Sequence, residues 1–135
     1  MLRIHKAKLE GAKKFIIWGT GSPRREFLHV SDLAKASAEI LTLSDEQFKE
    51  VSSSHLNIGT GVDVTIEELS QTLCDVIGYK GQINFDTEKP DGTPKKLLDV
   101  ARVRSISWKP EITLVEGLEQ TYAWFVDNYE HLRDS

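Results

Sequence analysis

The segment Lys89-Pro90-Asp91-Gly92-Thr93-Pro94-Lys95-Lys96-Leu97-Leu98-Asp99 constrains this chain more than any other. Pro90 and Pro94 each fix φ and lack an N–H, so neither fits inside a helix or a central strand. Asp91-Gly92 between them is a turn signal. The segment therefore reads as a stiff loop that presents a carboxylate at Asp91 and ammonium groups at Lys95 and Lys96. A flexible linker is the poorer description. Fixed charges on a preorganised loop suit an anionic ligand; a solvated charged turn is the plain alternative.

The 135 residues fit one domain, read as a single unit over 1–135. With 39% hydrophobic and 28% charged residues, a globular fold follows rather than disorder. The net charge of −4 argues against a general nucleic-acid binder, although a local basic pocket is compatible with it. Cys74 is the only cysteine, so no internal disulfide can form and a reducing compartment fits. No apolar run reaches the ~20 residues needed to cross a bilayer, and the basic N-terminus lacks the apolar stretch of a signal peptide.

Strand and helix patterns alternate along the chain, which gives an α/β class. Residues 2–14 read as a basic amphipathic helix without a cap residue before it, as though a longer helix began upstream. Residues 15–18 and 25–30 read as strands. A helix follows, capped by Ser31 or Asp32, with Leu33, Ala36, Ile40 and Leu43 at helical spacing. Residues 44–54 read as a polar loop and 55–58 as a strand. Thr65 and Glu68 form a capping-box pattern for a helix that Gly78 stops. Residues 83–86 read as a strand, 100–106 as a short helix broken at Trp108-Lys109-Pro110. A final helix from Leu114 carries Leu118, Tyr122, Phe125 and Tyr129 on one face.

Gly-Thr-Gly occurs at 19–21 and at 59–61. Neither has a third glycine where a dinucleotide fingerprint needs one; Arg24 and Val64 stand there instead. Both read as tight turns. His29 and Asp32 lack a third ligand at metal-site spacing. His5, His55 and His131 stand alone, and Cys74 lies beside an apolar helix stripe. Trp18 with Arg24 and Arg25 is more specific: an indole stacks on planar rings, and a guanidinium forks onto phosphate oxygens. A core tryptophan with surface arginines is the competing reading. Strand alternation points Arg24 and Arg25 to opposite faces, so at most one serves a given ligand.

Taken together, these residues resemble the GDP-L-fucose synthases, a family of extended short-chain dehydrogenase/reductases. The resemblance is carried by residues 18–30 (Trp-Gly-Thr-Gly-Ser-Pro-Arg-Arg-Glu-Phe-Leu-His-Val), by Asp32-Leu33-Ala34, and by Asn57-Ile58-Gly59-Thr60-Gly61. Gly78-Tyr79-Lys80-Gly81, Asp86, residues 89–100, Glu116-Gly117-Leu118 and residues 121–125 complete it. The Lys-Pro-Asp-Gly-Thr-Pro run is its specific part.

The resemblance implies the C-terminal, substrate-binding part of a Rossmann-type NAD(P)-binding enzyme. That enzyme would convert GDP-4-keto-6-deoxy-mannose to GDP-L-fucose by epimerisation and reduction. It implies GDP-sugar contacts by Trp18, Arg25 and Asp91, a basic contact at Arg3 and a further one at Lys96. Arg24 is not carried over. NADP and the catalytic set would belong to an N-terminal part absent from this sequence, so the chain alone would bind no cofactor and be inactive. A homodimeric, cytoplasmic enzyme without nucleic-acid or membrane partners is implied. Residues 56–59 would complete a Rossmann sheet, and alone they and the 33–43 helix should expose apolar surface or find another partner. A non-catalytic nucleotide-sugar-binding module or remnant, and an enzyme for a related GDP-deoxysugar, are the alternatives.

Overall fold

The structure is a computed structural model that describes residues 1–51 and 55–133. They form two compact units. The first comprises Met1–Pro23, Thr65–Pro94 and the chain from Val115 on; the second comprises Arg24–Val64 and Lys95–Leu114.

The first unit contains α1 (Leu2–Leu9), β1 (Lys14–Trp18), α4 (Ile66–Ile77), β4 (Gln82–Asp86) and most of α6 (Leu114–Arg133). β1 and β4 pair in parallel, from Lys14 opposite Gln82 to Trp18 opposite Asp86. The predicted capping box opens α4: Glu68 N donates to Thr65 Oγ1 at 3.0 Å, and Thr65 N donates to Glu68 Oε2 at 2.7 Å. Gly78 closes it in the left-handed region, and Lys8 Nζ donates to the terminal carbonyl of Ile77 at 2.6 Å. Ile4 and Ala7 of α1 meet Cys74 and Ile77 of α4 around Tyr79, forming the core of the unit. Burial pushes the Cys74 thiol up, which leaves it mostly protonated and unreactive. Helix α1 stops at Leu9, short of the expected Lys14, because Gly11 takes φ +62°.

His5 is buried against α6. Its Nδ1 lies 3.0 Å from Tyr122 Oη, and the rings of Phe125 and Tyr129 stand edge-on at 5.2 and 4.8 Å. Burial, and then Lys8, lower its pKa below the usual histidine value. The folded state therefore holds the proton less well than the unfolded chain. This contribution to stability is complete above the unfolded pKa, about 6.5, and is lost as pH falls from there toward the folded value. Thermal midpoints measured from pH 7.5 to 5 should fall, and a His5→Asn variant should fall less steeply. Equal slopes would show that His5 does not carry the effect.

The second unit contains β2 (Arg24–Glu26), α2 (Val30–Leu41), α3 (Asp45–Val51), most of β3 (Asp63–Thr65), β5 (Lys95–Lys96) and α5 (Ala101–Ser105). Its sheet has the order β3-β2-β5, with Arg24 opposite Lys95 and Arg25 opposite Lys96 in parallel register. Ala36, Val100, Val103 and Trp108 form the core, with Leu28, Leu56, Ile58 and Ile106 packed on it.

Several expectations are corrected here. The polar stretch 44–54 is helical over Asp45–Val51, because Ser44 and Gln47 cap one another: Ser44 N donates to Gln47 Oε1, and Gln47 N to Ser44 Oγ. Residues 52–54 of that stretch lie outside the described residues. Residues 55–58 are not a strand. Leu56 and Ile58 pack on the core, while the backbone joins no sheet. Helix α2 starts at Val30, and its cap is His29, which accepts from Ser31 N, rather than Ser31 or Asp32. Consequently β2 is only three residues long. Val30, Leu33 and Leu41 on α2 are exposed. The Pro-rich loop is not wholly loop, since Lys95 and Lys96 form β5.

Candidate functional site

Arg25 and Lys96 are brought together as neighbours on adjacent strands. Strand alternation sorts the side chains of this sheet. Arg24 faces Asp63: its Nε donates to Asp63 Oδ1 at 2.7 Å and its Nη2 to the Asp63 carbonyl at 2.9 Å. Lys95 Nζ reaches Asp63 Oδ2 at 3.2 Å. The Asp63 side chain is only 8% exposed. The Arg24 hydrogen bond first, and Lys95 after it, hold its carboxyl below the usual carboxylate range. Thus on one face two cations share the nearly buried Asp63 carboxylate.

The other face is different. Arg25 and Phe27 from one strand path, and Val62 and Val64 from the other, line a cavity of about 370 Å³. Thr60 and the run Pro110 to Leu114 complete it. Arg25 is braced by its own chain, with Nη1 donating to the Arg24 carbonyl at 2.7 Å. The register sets Lys96 beside Arg25 on this face. The far wall is pinned by Asp32, 1% exposed, whose Oδ2 accepts from Glu111 N at 3.1 Å and Ile112 N at 2.9 Å. Glu111 also pairs with Lys35. The cavity is thus mostly apolar, with a guanidinium at its edge. Such an arrangement accepts a planar or sugar-like body next to an anionic group.

Trp18, Asp91 and Arg3 lie in the first unit. Trp18 is 69% exposed, which overturns the reading of it as core and leaves its indole face available. Directly after it, the Gly19-Thr20-Gly21 turn is fastened to the Pro-rich loop. Thr20 N donates to Asp91 Oδ1 at 2.8 Å, and Thr20 Oγ1 to Asp91 Oδ2 at 2.7 Å. Those bonds, the hydroxyl one foremost, hold the Asp91 carboxyl below its ordinary range. Arg3 is bound to β1: Nη2 donates to the Ile16 carbonyl at 2.9 Å, and the guanidinium lies 5.0 Å from the Phe15 ring centroid.

The two Gly-Thr-Gly turns can be tested as cofactor phosphate loops. In each, backbone N–H groups already hold a carboxylate of the chain itself. Thr20 N serves Asp91; Gly61 N serves Glu26 Oε1 at 2.6 Å. Such turns are anion nests, and here internal anions fill them. The residues present therefore do not fit a dinucleotide phosphate, in line with their reading as structural turns. Among the described residues, no cluster of three or more metal-ligating side chains occurs and no helix is long and apolar enough to cross a membrane.

Residues 1–59 match the NAD dependent epimerase/dehydratase family. The GDP-L-fucose synthase of Escherichia coli is 49% identical over 134 residues, covering 97% of this chain and 42% of that protein. GDP-L-fucose synthase 1 of Arabidopsis thaliana is 45% identical, covering 95% and 38%. This chain is homologous to the C-terminal part of GDP-L-fucose synthases. It spans about two fifths of the length of these relatives. A GDP-mannoheptose C4 reductase from Campylobacter jejuni, solved with NADP bound, superposes with a TM-score of 0.81 at 35% identity, over 92% of this chain and 42% of that one. A GDP-L-fucose synthetase from Naegleria fowleri gives 0.84 at 26%, over 96% and 38%. The expected fold class, part of a short-chain dehydrogenase/reductase fold, is borne out.

Sequence reasoning missed Glu26, Phe27, Asp32 and Asp63 as parts of the site. The parity of the strand was a usable signal: if Arg25 faces a ligand, Phe27 shares its face and Glu26 does not. The Arg24–Asp63 pairing, 39 residues apart, had no local signal.

Proposed function

We propose that this chain holds the nucleotide sugar for an enzyme that epimerises and reduces GDP-4-keto-6-deoxy-mannose to GDP-L-fucose. The observation that carries the reading is the segregated sheet of the second unit. Arg24 and Lys95 pair with Asp63 on one face, while Arg25 and Lys96 are register partners on the other, beside an apolar cavity. The 49% identity to the Escherichia coli synthase supports it.

In this reading Arg25 forks onto the diphosphate and Lys96 adds a second positive charge. The exposed Trp18 indole stacks on the base. Asp91, held in place by Thr20, accepts from a hydroxyl or amine of the ligand through its remaining lone pairs. Arg3 contributes a guanidinium donor beyond those bound to Ile16. These groups bind and orient; none abstracts a proton or delivers hydride. Reduction and epimerisation fall to sequence beyond these 135 residues, where NADP would bind. A cytoplasmic, homodimeric enzyme belongs to the same proposal.

The purified 135-residue chain, given NADPH and the keto sugar, should therefore show no NADPH oxidation above a blank. Turnover by the chain alone would refute this assignment of roles. A second reading, a reductase of a related GDP sugar, is favoured by the likeness to the heptose reductase. Assays of the longer enzyme with each keto sugar separate the two.

A further inference from the structure

Glu26 stands at the end of the central strand of the second unit, on the face opposite Arg25. Its carboxylate joins both neighbours of that strand. Oε2 accepts from Leu98 N at 3.0 Å, two residues beyond Lys96. Oε1 accepts from Gly61 N at 2.6 Å and from Thr60 Oγ1 at 3.1 Å, in the turn that leads to β3. The approach is close: a Cβ at Gly59 would lie 2.5 Å from Oε1. Arg104 Nη2 adds a bond to the Thr60 carbonyl at 3.1 Å from outside the sheet. β5 has only two residues, too few for its ladder alone to fix its register.

We propose that Glu26 is a positioning residue for ligand binding: one carboxylate sets Lys96 beside Arg25 on one flank and the Thr60–Val62 wall of the cavity on the other. This rests on the reading that Arg25, Lys96 and the cavity receive a nucleotide diphosphate. A charged acceptor suits the task because three donors converge on two oxygens, and charge-assisted bonds of this kind are short and strong. Glutamine in its place would turn an NH2 group toward at least one of those donors. The flank that lost its bond would then be displaced, although the fold keeps its other contacts.

The test is titration of the chain with GDP by calorimetry, for wild type, Glu26→Gln, Lys96→Met and the double variant. Glu26→Gln is expected to weaken GDP binding about tenfold in the wild-type background and clearly less, about threefold, when Lys96 is already methionine and only the cavity wall remains to be displaced. Equal losses in both backgrounds would show that Glu26 acts on stability in general and would overturn the role. Should Glu26→Gln not fold, hydrogen exchange on the wild type decides. The amides of Leu98 and Gly61 should be strongly protected, and exchange at solvent rates would overturn the proposal. A folded wild type that binds no GDP overturns the proposed function, and this role with it; GDP binding with equal losses overturns only the role of Glu26.

Discussion

Replacement of Arg25 by alanine is expected to weaken GDP binding by about 10- to 150-fold, roughly 1.5–3 kcal/mol, the range for a hydrogen bond to a charged group. The chain beneath it is fixed by β2 pairing with β5, and its guanidinium is braced against the Arg24 carbonyl at 2.7 Å. Little rotamer freedom remains to be lost when a diphosphate binds. Arg24→Ala provides the contrast. Arg24 is engaged by Asp63, which is almost buried, so its removal leaves a carboxylate short of its main partner. That variant should lose thermal stability much more than GDP affinity. A folded Arg25→Ala protein with unchanged affinity would remove Arg25 from the site.

Gly19→Ala is expected to have the largest effect in the first unit. Gly19 takes φ +85°, and a Cβ there would lie 2.2 Å from Asp91 Oδ1. An L-residue in the left-handed region costs about 1–2 kcal/mol by itself. Asp91 can rotate away only by giving up its bonds to Thr20 N and Thr20 Oγ1. Losing them adds to that cost, though less at an exposed site such as this than at a protected one. Together the two effects should lower the thermal midpoint by several degrees. Thr20→Val keeps the backbone N–H and should lose less. If Gly19→Ala is as stable as wild type, the Thr20–Asp91 contact does not hold the Pro-rich loop.

The elements legible in the sequence were those with a local cause. The Thr65–Glu68 capping box, the Gly78 stop and the apolar run 15–18 each stand where their chemistry requires. The Ser44–Gln47 cap of α3 is the same kind of signal, set in a stretch whose polar composition reads as loop. Residues 55–58 have a strand-like pattern, but a strand exists only with a neighbour to bond, and the core claims their side chains instead. The opposite faces of Arg24 and Arg25 followed from period-two alternation alone. What neutralises Arg24, what pins the Pro110–Leu114 wall and what fills each Gly-Thr-Gly turn did not. Those answers are carboxylates 35 to 80 residues away in sequence: Asp63, Asp32, Glu26 and Asp91. Long-range pairing of common charged residues leaves no trace in spacing.

The most direct test of the central claim, that this chain holds a GDP sugar, is calorimetric titration of the folded 135-residue protein with GDP, run beside Arg25→Ala. Saturable binding that Arg25→Ala weakens at least tenfold, with folding confirmed by circular dichroism, is the result expected. A folded wild-type protein that binds no GDP, or binds it equally well without Arg25, would contradict the account.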